Sequence, residues 1–470
     1  MGNVFGRDED HVRRDQATTA DLQQYAEARQ QLGQMQVPVL LHAGNPHERL
    51  YIAALDGTGN SMRKDKPENW SAVAKIHDQL IHNRNPAIYS GYVEGIGTQD
   101  HLIPRAWDGW RATSFDERVE TAYYQLCTQS KQWLQEDPQA QIRVAGVGFS
   151  RGAEEVAALN RMVEERGILD PDNAVIHRDH YGLVTSAKYN ANQPPLAPPK
   201  QTLQAVMLFD PVSTNNTEYD RRLAPSTVGA FDIRSDDKRN DFKGDRLFPD
   251  GFSENNRFLS VHVPGPHSTA GDSYKYNGLG VLSANMGVAY LNSLSDHDFL
   301  KPQAVVQDPA KYQKLHSEDH LPVYSTSYYD QHHERGYTDQ LGADNQCKIA
   351  QPLSDCFHKA PVDPQLASQV EYRPVRLPEQ QAPPPMPDQA QSRATSSGDI
   401  FRQMTDAALR GDAAGMRAAS SPWLGSDAAQ TWLQQGRDAN EQQRESQLAA
   451  QLAQQQSQQP PTQHAPVMQR

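Results

Sequence analysis

Apolar residues follow two patterns along this chain: short continuous runs, and longer stretches in which they recur with helical spacing. Short runs that end in turn residues indicate buried strands, whereas helical spacing indicates amphipathic helices. The strands predicted in this way are 50–55, 141–147, 202–209 and 258–263. The predicted helices are 18–35, 69–83, 113–135 and 151–166. Strands that alternate with such helices predict an α/β fold, with a mostly parallel sheet and helices on both faces.

The character of the sequence changes near position 376, where Pro and Gln become frequent. This composition is typical of linkers, and the Gln-rich end has too few apolar residues to bury a core by itself. The expected organisation is an N-terminal extension with one helix (1–45), a catalytic domain (46–376), a linker (377–398) and a helical, then Gln-rich and partly disordered, tail (399–470). We expect the tail to serve secretion or the docking of an adaptor.

The charge of the chain limits the classes of partner. Its 470 residues include 45 Lys and Arg against 58 Asp and Glu, for a net charge of −13. Because nucleic-acid binding usually needs a basic face, we expect no nucleic-acid partner. No apolar run approaches the roughly 20 residues that span a bilayer, and the first residues lack the apolar stretch of a signal peptide. We therefore expect synthesis in the cytoplasm and export by a route that needs no such signal.

Three cysteines, Cys127, Cys347 and Cys356, are too few for a disulfide framework. No group of Cys and His has the spacing of a zinc site, and the chemistry predicted below requires neither a metal nor a cofactor. Cys347 and Cys356 could form a small loop disulfide in an oxidising compartment, or remain two unrelated thiols.

The clearest chemical motif is Gly148-Phe149-Ser150-Arg151-Gly152, which matches the pattern G-x-S-x-G. It follows a predicted strand and directly precedes a predicted helix, which is the context of a nucleophile elbow. The glycines leave room for a strained turn, and the helix N-terminus stabilises negative charge beside the serine. This context favours Ser150 as a nucleophile; the alternative is a Gly-Ser turn before an ordinary helix.

A serine nucleophile needs a base and a carboxylate that orients the base. In α/β-hydrolases these follow the serine in the order Asp or Glu, then His. Asp210 ends the strand predicted at 202–209, and open α/β sheets hold their sites at the carboxyl ends of strands. Asp210 could instead cap a turn, because a proline follows it. Rival carboxylates in the later polar sequence are Asp220, Asp232 and Asp236.

The best candidate for the base is His267, which stands in a Pro/Gly-rich loop directly after the strand predicted at 258–263. His262 lies within that strand, where a histidine is usually structural. A later His-rich segment offers four further candidates, which are more typical of a surface: His316, His320, His332 and His333.

Two Gly-rich turns complete the predicted site. The first, 56–60, follows the strand at 50–55, so the amides of Gly57 and Thr58 could hold an oxyanion together with the Arg151 amide. It fits neither the P-loop nor the dinucleotide-binding pattern, which argues against a phosphate-cradling loop. The second, 92–99, either lines the same crevice or is a simple turn. The loop residues expected near the substrate are Asp56, Gly59, Glu94 and Gly95.

Five segments occur in the order LDGTGNS, YVEGIGT, GVGFSRGAEEVAAL, LFDPV and VPGPHSTAGDSY. Together they resemble the α/β-hydrolase-like catalytic domain of type VI secretion lipase effectors, over about 50–376. The resemblance implies a triad of Ser150, Asp210 and His267 and phospholipase A-type hydrolysis of glycerophospholipids. The sequence departs from the family at Pro211, where Thr is common, and at 270–272, where a Gly pair is common. The C-terminal composition also resembles the tails of antibacterial type IV secretion effectors of the Xanthomonas kind.

We therefore expect an antibacterial effector lipase that acts on the phospholipid membrane of a target cell, in its periplasm. Its expected partners are a cognate immunity protein, and a secretion apparatus or adaptor bound through 399–470. Two other classes stay open: an intracellular serine esterase of soluble esters, and a non-catalytic ligand-binding protein on a hydrolase scaffold.

Overall fold

The structure is a computed structural model, and it describes part of the chain. The described residues are 13–95, 115–180, 182–212, 223–236, 244–245, 247–273, 278–316, 337–338 and 362–386. The chain divides into two units, Met1–Pro387 and Asp388–Arg470, and the second lies outside the described residues. Several residues singled out above also lie outside them: Asp220, His320, His332, His333, Cys347 and Cys356.

The strands are numbered in chain order. They are β1 Arg13–Gln16, β2 Gln36–Pro38, β3 Glu48–Leu55, β4 Ile88–Val93, β5 Gln141–Phe149, β6 Val175–Arg178, β7 Val184–Lys188, β8 Gln204–Phe209, β9 Thr227–Ser235, β10 Gly244–Asp245, β11 Gly251–Ser253, β12 Phe258–Val263, β13 Gln313–His316, β14 Tyr337–Thr338 and β15 Tyr372–Pro374. The α-helices are α1 Thr19–Gln34, α2 Ala72–Ile81, α3 Phe115–Glu136, α4 Arg151–Arg166, α5 His267–Ala270, α6 Gly278–Ser293 and α7 Pro364–Ser368.

Seven strands form the central sheet, in the order β11-β12-β9-β8-β5-β3-β4. The short β11 runs antiparallel to β12, and the other neighbours are parallel. The chain adds β4 on one side of β3 and then β5 on the other, so the strand order reverses between β3 and β5. In open α/β sheets a ligand site lies at the carboxyl ends of the strands at such a reversal. The α/β fold class predicted from the sequence is confirmed.

Helices cover both faces of this sheet. Helices α3 and α4 contact each other and pack on β3, whereas α1 and α2 each contact α6. Every residue of α6 is buried, so this helix lies within the core and not over its surface. None of the helices in the described ranges has the length and apolar character needed to cross a membrane.

The described residues near both ends of the first unit pack on the same core. Helix α1 begins at a capping box, in which the Thr18 hydroxyl accepts the Asp21 N–H and the Asp21 carboxylate accepts the Thr18 N–H. The same helix buries Leu32 completely. Strand β2 pairs with β15, and Arg29 donates to the Pro378 carbonyl at 2.5 Å. The residues that flank the sheet in sequence are therefore joined to it by direct contacts.

Candidate active site

Ser150 occupies the sharp turn between β5 and α4. Its φ of 58° lies in the left-handed region, which a residue other than glycine adopts only when its surroundings impose it. The Ser150 N–H donates to the Phe209 carbonyl at 2.9 Å, and the Ser150 carbonyl accepts the Val212 N–H at 3.3 Å. These bonds tie the turn to the end of β8. The result is the strand–turn–helix geometry of a nucleophile elbow.

The two glycines of the motif stand where no side chain would fit. A Cβ atom on Gly148 would lie 2.5 Å from the Cα of Ala153, and one on Gly152 would clash with the Leu55 carbonyl oxygen. Both obstacles are backbone atoms, which cannot rotate away. The close approach of α4 to β5 and to the end of β3 therefore requires glycine at both positions.

Asp210 and His267 meet at the carboxyl edge of the sheet. The Asp210 carboxylate is fully buried, and its Oδ2 lies 2.6 Å from Nδ1 of His267. Ser235, the last residue of β9, donates its hydroxyl to Oδ2 at 2.9 Å and its N–H to Oδ1 at 3.2 Å. An ionised carboxylate only accepts hydrogen bonds, so the imidazole donates from Nδ1. Nε2 then remains as the atom that can accept a proton.

Phe149 connects the turn at Ser150 to His267. Its ring stacks on the imidazole of His267, with centroids 4.7 Å apart and planes inclined by 28°. A Cβ atom on Gly57 would lie 2.5 Å from the same ring, and one on Gly271 would overlap it as well. Since Phe149 directly precedes Ser150, the Ser150 turn, the His267 loop and the 56–60 turn all meet at one aromatic ring.

The described rivals for the triad carboxylate bind other partners. Asp232 is fully buried within β9 and contacts Arg234; burial raises the pKa of Asp232 to about 6, while the Arg234 charge opposes the rise. Asp236 and Asp250 each lie 3.2 Å from a ring nitrogen of His262. Burial alone would lower the pKa of His262, but these hydrogen bonds and charges outweigh it and raise the pKa to about 9.

The Asp56 carboxylate holds the turn at 56–60 in place through hydrogen bonds. It is 1% exposed, and its Oδ1 accepts the Gly57 N–H and the Ser71 hydroxyl, each at 2.7 Å. Its Oδ2 accepts the Tyr92 hydroxyl at 2.7 Å. The sequence predicted that Asp56 lies near the substrate. In the structure its side chain is buried and accepts the hydrogen bonds that hold the turn. The Gly57 amide, one of the predicted oxyanion donors, is already bonded to this carboxylate.

Thr58 of the 56–60 turn contacts Arg151, the first residue of α4. Arg151 is 1% exposed and donates from Nε to the Thr58 hydroxyl at 2.6 Å. This bond joins the first residue of α4 to the turn after β3. The helix N-terminus supplies amides that have no partner within the helix, and the Arg151 amide is the first of them. The Thr58 amide has no hydrogen-bond partner among the residues that the structure describes.

The second predicted turn packs directly on the first. The Gly95 N–H donates to the Asn60 carbonyl, and the Asn60 N–H donates to the Gly57 carbonyl, each at 2.9 Å. A Cβ atom on Gly95 would collide with the Gly57 carbonyl oxygen. Glu94 forms an ion pair with Arg63, and Gly59 adopts a positive φ of 74°. The described part of 92–99, residues 92–95, therefore packs on the 56–60 turn.

Sequence reasoning missed the groups that hold the site residues in place, notably Ser235, Ser71 and Tyr92. Ser235 had a usable signal, because it ends a strand that would neighbour the Asp210 strand if 227–235 were recognised as a strand. Ser71 lies inside the helix predicted at 69–83, whereas in the structure it is the N-cap of α2, and no sequence pattern links it to Asp56. Among the described residues, no cluster of three or more His, Cys, Asp or Glu could hold a metal ion.

Comparison with known families matches residues 49–233 to the model described as the catalytic domain of the type VI secretion phospholipase effector, Tle1-like. This part of the chain is similar to that domain. The resemblance predicted from the sequence motifs is therefore confirmed for the segment that contains Ser150 and Asp210. The C-terminal resemblance stays a prediction.

Solved structures show distant similarity. An uncharacterised protein from Pseudomonas aeruginosa is 13% identical with a TM-score of 0.32, over 63% of this chain and 51% of its own. The Tle1 effector bound to the VgrG spike is 18% identical with a TM-score of 0.31, over 48% and 51%. An acetylxylan esterase is 13% identical with a TM-score of 0.22, over 55% and 98%. The chain spans about half the length of the first two. No curated protein matches the chain.

Proposed function

We propose that this chain is a secreted effector phospholipase that cleaves acyl esters of membrane glycerophospholipids with a triad of Ser150, His267 and Asp210. The observation that carries the proposal is the 2.6 Å contact between His267 Nδ1 and the buried Asp210 carboxylate, on the edge of the sheet where Ser150 stands in an elbow turn. The Tle1-like match supports the phospholipase class and the role as an effector. Phospholipase A is the activity we propose within that class.

The chemistry follows from the protonation states of the triad. Ser150 Oγ bonds to the acyl carbonyl carbon while His267 Nε2 accepts the hydroxyl proton. The carbonyl electron pair moves onto oxygen, where the amides of Arg151 and Thr58 stabilise the negative charge. Collapse of this intermediate breaks the ester bond, and the imidazolium protonates the departing lysophospholipid. A water molecule then releases the fatty acid by the same steps, so no cofactor enters the reaction.

The biological role that we propose follows from the family description as a type VI secretion effector. The enzyme would be delivered by a secretion apparatus, through 399–470 or an adaptor bound there, into the periplasm of a competing bacterium. A producer of such a toxin needs a cognate immunity protein. We therefore propose an antibacterial toxin with two protein partners.

Lipid-product analysis tests the proposed reaction. Purified full-length protein is incubated with vesicles whose two acyl chains differ, and wild type is compared with Ser150→Ala and with Ser130→Ala. Ser130 is a matched control, because it is fully buried in α3. We expect wild type and Ser130→Ala to release fatty acid and lysophospholipid, and Ser150→Ala to release neither.

Three other results would contradict the proposal. Equal release by Ser150→Ala would exclude the nucleophile. Cleavage of short soluble esters without cleavage of vesicle lipids would favour the soluble esterase. Absence of turnover together with absence of fluorophosphonate labelling at Ser150 would favour a ligand-binding protein on a hydrolase scaffold.

A further inference from the structure

The loop that carries His267 has little structure of its own. Helix α5 is a single turn of four residues that ends at Ala270, with Gly271 as its C-cap. Asp272 follows in the left-handed region with φ 50°, and it is 1% exposed. A single helical turn is not stable in isolation, and a strained backbone persists only where its surroundings hold it. The position of the base therefore depends on contacts from outside this loop.

Besides Asp210 and Phe149, the first turn of α2 supplies several of those contacts. Lys75 donates from Nζ to the Asp272 carboxylate at 2.8 Å and to the Asp272 carbonyl at 3.1 Å. The Ala72 N–H donates to the Gly271 carbonyl at 2.9 Å. Gln303 completes the set, since its side-chain amide donates to the Asp272 carboxylate at 2.8 Å. One lysine thus binds both the backbone and the side chain of the residue that ends the base loop.

The same helical turn also holds the oxyanion side of the site. Ser71 caps α2 by accepting the Ala74 N–H, and its hydroxyl donates to Asp56. Asp56 in turn binds the Gly57 amide. The first turn of α2 therefore contacts the 56–60 turn through Ser71 and the base loop through Ala72 and Lys75.

We propose that Lys75 is a positioning residue for His267. By binding Asp272, it holds the imidazole at a fixed position relative to the 56–60 turn. The proposal rests on the proposed function, since it assumes that His267 is the base. Removing the ammonium leaves the Asp272 carboxylate buried without its cation, which is costly and frees the loop to move. Displacement of a catalytic group by about 1 Å can lower a rate by up to about 100-fold.

The test compares Lys75→Met with Lys131→Met in the full-length protein. Lys131 on α3 is a matched control: its Nζ lies 2.6 Å from Asp170, and the two lysine side chains are 20% and 22% exposed. Both variants should lose similar thermal stability. We expect the kcat of Lys75→Met to fall by about 10- to 100-fold, with KM within about twofold of wild type. Lys131→Met should keep its kcat within about twofold, and Lys75→Arg should recover most of the loss.

A second measurement separates positioning from general destabilisation. In a His267→Ala background no base remains to be positioned, so Lys75→Met should not reduce the residual hydrolysis of an activated soluble ester any further. An equal loss in both backgrounds, or an equal loss of kcat in Lys131→Met, would overturn the proposal. If Lys75→Met does not fold, Gln303→Leu gives the same comparison with a smaller expected loss.

The outcomes also distinguish this proposal from the proposed function. Wild-type hydrolysis by Ser150→Ala would refute the triad itself. A Lys75→Met enzyme with the kcat of wild type, beside an inactive Ser150→Ala, would refute only the positioning role.

Discussion

Ser150, Asp210 and His267 follow three different strands, β5, β8 and β12, and reach one edge of the sheet. Groups that share one proton-transfer step act as a unit. We expect Ser150→Ala and His267→Ala each to lose nearly all turnover, and the double variant to be little worse than either. Steady-state hydrolysis of vesicle phospholipid measures this, with circular dichroism as the folding control. Substantial activity in His267→Ala would move the search for the base to the other histidines.

The carboxylate should show a graded response. Asp210→Asn keeps the shape but cannot hold the imidazole in the productive tautomer, so we expect kcat to fall by up to about 10⁴-fold. Ser235→Ala removes one of the two hydrogen bonds that Ser235 donates to Asp210 and keeps the other, from its N–H. Its loss should be much smaller. The kcat of Asp210→Asn is compared with that of Ser235→Ala. Equal losses of kcat would contradict a role for Ser235 that is limited to its hydrogen bond to Asp210.

A substitution of Phe149 tests whether its ring supports the His267 imidazole by stacking on it. Phe149→Leu keeps an apolar side chain but removes the aromatic face that lies on His267. Phe231→Leu is the matched control, because Phe231 is fully buried and packs against Tyr290 in the core. Each change should cost about 1–2 kcal/mol of unfolding free energy. Only Phe149→Leu should also lower kcat. Equal kcat values in the two variants would exclude support of the imidazole by the Phe149 ring.

At the scale of elements, the sequence patterns predicted four of the seven strands of the central sheet, β3, β5, β8 and β12. They missed its other strands and helix α6. Helix α4 and strand β12 were predicted residue for residue, because apolar runs and turn residues mark both ends. Strand β9 was missed because it contains Asp232 and Arg234, which look exposed in sequence but are buried as a pair. Helix α6 was missed because it is buried on every side and has no polar face to give a periodic pattern.

The contact between the two Gly-rich turns should be sensitive to a single methyl group. Gly95→Ala would place Cβ against the Gly57 carbonyl oxygen, so the turns must separate. We expect a loss of about 1–3 kcal/mol in unfolding free energy and a lower kcat. Gly44→Ala is the control, since its Cβ would meet nothing within 4 Å, and it should stay within about 0.5 kcal/mol of wild type. Denaturant unfolding and phospholipid hydrolysis measure both effects.

Strands β9 and β12 carry a pH-dependent contribution to stability. The pKa of His262, ordinarily 6.5, is raised to about 9 in the folded protein by Asp236 and Asp250. A raised pKa in the folded state stabilises the fold below the unfolded value and ceases to do so as pH rises through 9. The free energy of unfolding of wild type should therefore exceed that of His262→Gln near pH 6, by on the order of 1 kcal/mol because partial exposure screens the charges. Near pH 10 the difference should vanish, and a constant difference would contradict the assignment.

For the whole molecule, the sequence could suggest candidate residues for the site but not which neighbours hold them in place. The order of the motifs and their positions after strands were enough to propose Ser150, Asp210 and His267. The hydrogen bonds from Ser71 and Ser235 depend on which strands and helices become neighbours, and that information is tertiary. The engagement of the Gly57 amide by Asp56 could not be foreseen for the same reason.

The first unit should retain the chemistry without the rest of the chain. Met386 is 7% exposed, and the side-chain amide of Gln16 lies 3.8 Å from its sulfur, so the packed structure continues to this point. A truncation after Pro387 should hydrolyse phospholipid within a few-fold of the full chain. It should fail to kill competitors in contact-dependent co-culture, yet remain toxic when expressed directly in their periplasm. A truncated protein that loses hydrolysis in vitro would show that 388–470 belongs to the enzyme.

The pairing of β2 with β15 makes the order of synthesis matter. Val37 lies opposite Arg373, so an early strand finds its partner only near the end of the first unit. A nascent chain on the ribosome therefore cannot complete this pair until almost the whole unit has emerged. Translation thus delays completion of this strand pair, and we expect chains stalled before Tyr372 to hydrolyse no lipid while still attached.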